Sequence, residues 1–131
     1  MTNKKLGNNF ERELCAYLSE HGYWTHNFTQ NQHGQPADVI AVKNGKPYLI
    51  DCKVCSTEKG FDLRRVEENQ ALAMTLWNKC GNGIGWFAIR TGSDVHMLSH
   101  PLVKSFMAQQ SWMSFGDICK YGVPLDEWIT I

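Results

Sequence analysis

The stretch DVIAVKNGKPYLIDCK, residues 38–53, decides the fold. Two apolar, strand-like runs flank Asn44-Gly45, and this dipeptide is the strongest short-range signal for a two-residue hairpin turn. If these two residues form the centre of the turn, Pro47 faces Val42 in a non-hydrogen-bonded pair. The missing N–H of proline costs nothing at such a position, which supports the register independently.

Three charged side chains converge at the open end of this predicted hairpin. The same pairing places Asp38 opposite Asp51, with Cα atoms about 4.5 Å apart, and Lys53 projects from the same face. Two facing, partly buried carboxylates cannot both ionise cheaply without a compensating charge. A divalent cation bound by oxygen ligands supplies one, and the backbone carbonyl of Cys52 offers a further oxygen. The plainer alternative is an Asp–Lys ion pair at a strand end.

Two predicted helices carry polar candidates for the same place. Residues 8–22 read as a helix, with Glu11 beside the apolar stripe and within reach of such a cation. The alternative for Glu11 is a capping box with Asn8. Residues 64–80 read as a second helix in which Gln70 lies on the core-facing stripe. Gln70 is either a satisfied core amide or a group that lies above the carboxylates.

The order of predicted elements indicates one α/β domain over residues 1–131 with a mixed sheet. Both faces of the central strands are apolar, so the sheet needs cover on both sides. One face carries Val39, Ala41, Tyr48 and Ile50, and the other carries Ile40, Val42 and Leu49. The remaining predictions are strands at 23–28, 84–90 and 95–98, a polar loop at 55–63, a helix opened by Pro101 that ends near residue 110, and a closing strand at 128–131.

Composition excludes several classes of protein. The 131 residues are 43% apolar, and 13 basic residues balance 13 acidic ones, which argues against a non-specific nucleic-acid coat protein. No apolar run is long enough to span a bilayer, and no secretion signal is evident, so we expect a cytoplasmic protein. Five cysteines in such a chain suggest reduced thiols. Cys52-x-x-Cys55 leaves a zinc or redox protein as an alternative.

A set of basic and polar residues near the predicted hairpin suits contacts to phosphates. The alternative is an ordinary solvated surface. The candidates are Lys43, Lys46, Lys59, Arg64 and Arg65, together with Gln32 and His33 in the polar loop before Asp38.

These residues together resemble the PD-(D/E)xK nuclease superfamily, and most closely the small Holliday-junction resolvases of archaea, phages and Gram-positive bacteria. The resemblance covers about residues 7–90 and rests on Glu11, Pro36-Ala37-Asp38, the hairpin, Asp51-Cys52-Lys53 and the helix with Gln70. It departs from the usual pattern at Ala37, which separates Pro36 from Asp38, and at Asp51, where glutamate is commoner.

The resemblance implies a restriction-endonuclease-like three-layer core and an endonuclease that depends on Mg²⁺ or Mn²⁺. Asp38, Asp51 and Glu11 would hold the cation, Lys53 would orient or activate the attacking water, and Gln70 would match a glutamine found in many such enzymes. The substrate would be branched DNA and the enzyme a homodimer. The alternatives are a restriction or repair nuclease acting on duplex DNA, and a nucleic-acid-binding module that has lost its chemistry.

Overall fold

The computed structural model describes residues 3–28 and 35–131, with backbone alone at residues 3 and 4. The helices are α1 (Asn3–Glu20), α2 (Glu68–Lys79), α3 (His100–Met107), α4 (Phe115–Tyr121) and α5 (Leu125–Trp128). The strands are β1 (Trp24–Asn27), β2 (Val39–Lys43), β3 (Lys46–Cys55), β4 (Phe61–Asp62), β5 (Trp86–Thr91), β6 (Asp94–Ser99), β7 (Trp112–Met113) and β8 (Val123–Pro124). A 3-10 turn, Leu63–Arg65, precedes α2.

The described strands form a mixed six-stranded sheet in the order β1-β2-β3-β5-β6-β8, and β4 pairs with β7 in a second, two-stranded sheet. Strand β3 lies at the centre and is the longest. It pairs antiparallel with β2 and parallel with β5. The parallel pair requires a crossover connection, which contains β4, the 3-10 turn and α2.

The β2–β3 hairpin has the predicted register. Asn44 and Gly45 both have positive φ values, 53° and 76°, as a type I′ turn requires. Val42 pairs with Pro47, as expected, and the ladder ends at the pair Val39–Ile50, so the predicted Asp38–Asp51 pair is not part of it.

Two hydrophobic clusters cover the two faces of the sheet and confirm the three-layer prediction. On one face, α1 and α5 pack over β2 and β3. The buried side chains there include Phe10, Leu14, Leu18, Val39, Ala41, Tyr48, Ile50 and Trp128. On the other face lie α2, α3 and α4, and the buried side chains include Leu49, Met74, Phe87, Ile89, Leu98, Val103 and Ile118. No helix in the described part of the chain is long and apolar enough to cross a membrane.

Several element boundaries differ from the sequence-based prediction. Helix α1 is already formed at residue 3, five residues before the predicted start, so Asn8 lies inside it and cannot cap it. The capping-box interpretation of Glu11 is therefore wrong. The second helix starts at Glu68, because the 3-10 turn occupies residues 63–65. The third ends at Met107, and the predicted loop at 55–63 contains the end of β3 and all of β4.

The predicted closing strand at 128–131 is also wrong. Trp128 ends the short helix α5, and the strand that closes the sheet is β8, which pairs with β6. The indole of Trp128 is 1% exposed and stacks on the ring of Tyr23, with centroids 6.0 Å apart. Burial of the helix end against the sheet thus accounts for Trp128, whereas Ile131, which also suggested a strand, is 68% exposed.

Candidate active site

The candidate site lies where strands β2 and β3 part. The regular β2–β3 ladder ends at Val39–Ile50, and the N–H of Asp38 still donates to the Ile50 carbonyl at 3.1 Å. Beyond that point, β3 keeps β5 on one edge and loses β2 on the other. The Asp38 carboxylate replaces β2 as the hydrogen-bond partner of this edge, since its Oδ2 accepts from the N–H of Cys52 at 2.7 Å. This bond fixes one carboxylate beside the exposed edge of β3.

Asp51 and Lys53 lie on β3 and point to the same face. The Asp51 carboxylate is fully buried, and Lys53 is 9% exposed. Nζ of Lys53 lies 2.9 Å from Oδ2 of Asp51. This oxygen accepts no hydrogen bond of normal geometry, although the ammonium is close to it. The close approach that the hairpin register predicts for the three side chains is present, because Asp38 and Lys53 line one pocket and the charges of both shift the pKa of Asp51.

Gln70 connects the helix layer to these charges. Its Nε2 donates to Oδ1 of Asp51 at 3.0 Å, and its Oε1 accepts from Nζ of Lys53 at 3.2 Å. The same Oε1 accepts from the N–H of Glu67 at 3.1 Å, as the third residue of a helix does in a capping box. Gln70 thus closes the start of α2 and orients two site residues, so both interpretations of this buried amide hold at once.

Glu11 reaches the same pocket from α1. Its side chain is 6% exposed, although it lies one position from the buried stripe of Phe10 and Leu14. Burial raises the pKa of Glu11 to about 7, with a further rise from the charge of Asp38 and an opposing effect from Lys53. These couplings place the Glu11 carboxylate near both residues.

Burial also dominates the electrostatics of Asp51. It raises the pKa of that carboxyl to about 8, and Asp38 adds to the rise while Lys53 opposes it. A buried carboxylate with a raised pKa needs either a proton or a cation before it is stable at neutral pH. The site therefore contains buried negative charge that a bound cation would neutralise.

Gln35 is a site residue that the sequence did not single out. It is 9% exposed, and its Nε2 donates to Oδ1 of Asp38 at 2.9 Å. Its Oε1 is buried without a hydrogen-bond partner in the described structure. The backbone carbonyl of Gln35 accepts from Nδ2 of Asn69 at 3.2 Å, which ties the segment before Asp38 to α2. No periodicity marks Gln35, because it precedes the strand in a polar loop.

The pocket around these groups has a volume of about 280 Å³. Arg65 is the one basic candidate that lines it, and its guanidinium donates to the Val54 carbonyl at 3.0 Å. The lining residues are Glu11, Gln35, Asp38, Cys52, Lys53, Arg65, Glu67 and Gln70. Glu67, at the mouth, is a second residue that the sequence did not mark.

The other basic candidates lie elsewhere. Lys43 and Lys46 flank the hairpin turn at the far end of β3, about five to eight residues from the carboxylates. Arg64 is held by two hydrogen bonds to Asp62, each 2.9 Å long. Lys59 precedes β4, where its carbonyl accepts from the Trp112 indole. Gln32 and His33 lie outside the described residues.

The residues present fit a divalent cation bound by oxygen. No group of three His, Cys, Asp or Glu side chains within residues 3–28 and 35–131 is placed to hold a metal ion by itself. The carboxylates of Asp38 and Asp51 therefore need a backbone ligand. The carbonyl of Cys52 lies on the same strand edge as its N–H, which Asp38 already contacts.

The zinc alternative does not fit the structure. Cys52 and Cys55 are three residues apart on one strand, so their side chains point to opposite faces of the sheet. Cys52 belongs to the cluster under α1 and Cys55 to the cluster under α2. Burial raises the pKa of both thiols, which disfavours the thiolate that zinc requires.

Fold and site together define a nuclease of the PD-(D/E)xK class. The family model described as archaeal Holliday junction resolvase (Hjc) matches residues 2–129, and the chain belongs to this family. The chain is therefore a nuclease of the Holliday-junction resolvase type, which acts on branched DNA. A similar solved structure is Archaeoglobus fulgidus Hjc, a Holliday junction resolvase from an archaeal hyperthermophile. It shares 14% identity over 95% of each chain, with a TM-score of 0.67. No curated protein sequence matches the chain significantly.

Proposed function

We propose that this chain is a Mg²⁺-dependent endodeoxyribonuclease that cuts phosphodiester bonds of four-way DNA junctions at the pocket between β2, β3 and α2. The observation that supports the proposal best is the convergence of Asp38, Asp51 and Lys53 at the parting of two strands, with Glu11 facing them. Mn²⁺ has the same preference for oxygen ligands and is expected to substitute.

The acidic residues of the pocket would hold the cation. Asp38 and Asp51 would supply carboxylate oxygens, the Cys52 carbonyl would supply a third oxygen, and Glu11 would complete the set through water. A bound divalent cation lowers the pKa of water and neutralises charge that develops on phosphate oxygens. The raised pKa values of Asp51 and Glu11 imply that cation binding displaces protons from both carboxyls.

Lys53 is proposed to orient the attacking water and to offset charge on the phosphate. Its ammonium is a compact charge with three donors, and two of its contacts are defined, to Asp51 and to Gln70. Gln70 would hold one donor of the ammonium, and a further donor would be able to face the attacking water. Gln70 is therefore a positioning residue for both side chains.

A junction has two strands to cut, so we propose a homodimer with two-fold symmetry. Each subunit would carry a complete pocket, because every candidate ligand comes from a single chain. A nuclease that acts on ordinary duplex DNA remains the competing function, and the membership of the chain in the resolvase family favours the junction.

The test compares cleavage of a four-way junction with cleavage of linear duplex of the same sequence, in Mg²⁺, in Mn²⁺ and in EDTA. We expect cation-dependent cleavage of the junction that Asp51→Asn and Lys53→Ala each reduce about a hundredfold or more. Lys79→Ala, which removes an exposed lysine at the end of α2, is the matched control, and it should cut at the wild-type rate. Full activity of Asp51→Asn would overturn the proposed roles, and equal cleavage of duplex would favour the competing function.

A further inference from the structure

Three aromatic rings follow one another along the edge strand β1 and its end. We call Trp24, His26 and Phe28 the aromatic strip. The indole of Trp24 is 64% exposed, the highest value among the exposed aromatic side chains that the structure describes. The His26 ring is nearly parallel to the indole, at 12° and 6.4 Å between centroids, and it meets the Phe28 ring edge-on at 5.1 Å.

The strip lies on the same face of the sheet as the candidate site. Trp24 pairs with Val42 and His26 with Ile40, and paired residues of antiparallel strands project to the same side. Continuing this register, the N–H of Phe28 donates to the Asp38 carbonyl at 2.9 Å. The strip thus begins beside Asp38 and extends away from it for about 13 Å, at about 3.3 Å per residue.

The chemistry of the strip suits a nucleic acid. The segment 21–28, HGYWTHNF, contains no carboxylate that would repel a phosphate. Lys43 follows Val42 on β2 and therefore projects to the opposite face of the sheet, where its Nζ lies over the ring of Tyr23. The strip thus offers stacking rings without a neighbouring cation, and exposed aromatic rings are platforms on which proteins stack unstacked bases.

We propose that the aromatic strip stacks on bases exposed where the arms of a branched DNA separate, and so positions the strand whose phosphate enters the pocket. A four-way junction interrupts base stacking at its crossover, and an exposed base pair or unpaired base presents a face that these rings match. This inference rests on the proposed function and specifies how that site selects branched over linear DNA. The alternative occupant of an exposed edge strand is the β1 edge of a second copy.

The experiment measures binding in EDTA, so that the DNA stays intact. The probe is a four-way junction with 2-aminopurine beside the crossover, and the reference is linear duplex of the same sequence. We expect Trp24→Ala to weaken junction binding about tenfold or more, since one base stacked on an aromatic ring contributes at this level. His26→Ala should act in the same direction. Trp24→Phe should retain binding, and duplex affinity should not change in any variant.

Tyr121→Ala is the matched control, because Tyr121 is an exposed aromatic residue on α4, with 44% exposure, whose ring contacts Phe106 instead of the strip. Unchanged junction affinity in Trp24→Ala and His26→Ala would overturn the inference, while wild-type cleavage of the junction would leave the proposed function intact. A lower oligomeric mass of Trp24→Ala by sedimentation would assign the strip to a protein interface and also overturn the inference. Failure of wild-type protein to bind or cut the junction would instead overturn the proposed function.

Discussion

Raising the pH is expected to destabilise the metal-free protein, because the folded site holds protons that the unfolded chain releases. Burial raises the pKa of Asp51 from 3.8 to about 8. A group with a raised folded-state pKa favours folding most at a pH below its unfolded pKa, and this contribution is lost as the pH rises through the folded pKa. The free energy of unfolding should therefore fall from about pH 4 to about pH 8.

The size of the effect follows from counting protons. Between about pH 5 and 7, the unfolded chain has lost the Asp51 proton and the folded chain retains it. One proton of difference changes the free energy of unfolding by about 1.4 kcal/mol per pH unit, or about 3 kcal/mol over this interval. Domains of ordinary stability have about 5–15 kcal/mol in total, so the loss is measurable. Glu11, whose pKa is raised to about 7, contributes with the same sign.

Denaturant titrations in EDTA at several pH values test this prediction. Asp51→Asn removes the titrating group, so its stability should fall with pH less steeply than that of the wild type, by about 1.4 kcal/mol per unit. Asp94→Asn, at the start of β6, should keep the wild-type slope. The difference between the slopes isolates Asp51, because every other ionisable group is common to both proteins. Equal slopes for Asp51→Asn and the wild type would refute the assignment of the raised pKa to this buried carboxyl. Mg²⁺ should flatten the wild-type slope, because the cation binds the ionised carboxylates.

Two further substitutions distinguish the role of a residue in positioning the site carboxylates from its role in the stability of the fold. Gln70→Ala removes the capping interaction and the donor to Asp51, so the free energy of unfolding should fall by about 1–3 kcal/mol in denaturant titrations. Cleavage should fall more than this loss of folded protein explains, and cleavage at the wild-type rate would contradict the positioning role. Gln35→Ala frees Oδ1 of Asp38, so the Mg²⁺ concentration that gives half-maximal cleavage should rise. An unchanged Mg²⁺ dependence would show that Gln35 does not fix the Asp38 carboxylate.

The hairpin could be predicted because signals between neighbouring residues in the sequence specify it. Asn44-Gly45 requires positive φ values, Pro47 fits one kind of pair, and the period of two then determines which side chains meet. The shared face of Asp51 and Lys53 follows from those three facts, whereas Asp38 lies just beyond the paired ladder and its carboxylate is fixed by the N–H of Cys52. The same reasoning gave the two apolar faces of the sheet and, with them, the three-layer core.

The site residues that the sequence did not reveal depend on contacts between segments that are distant along the chain. Gln35 becomes a site residue because Asn69 of α2 holds its carbonyl, a contact 34 positions apart that no local pattern reveals. Lys43 and Lys46 lie away from the pocket for a related reason, since the hairpin turn and the Asp pair lie at opposite ends of one strand. Lys43 and Lys46 are close to the acids in sequence and far from them in space, whereas Arg65 is brought to the pocket by the crossover.

The two edges of β3 have partners at very different distances along the chain. Its partner on one side is joined by a two-residue turn, whereas its partner on the other begins at Trp86, beyond an entire helix. Loops of such different length close at different rates, and hairpins form in microseconds. A nascent chain would therefore align its two acids early, yet lack the glutamine that restrains them until the parallel pairing is complete. The site would thus become able to cleave DNA only once α2 and the parallel pairing of β3 with β5 are in place.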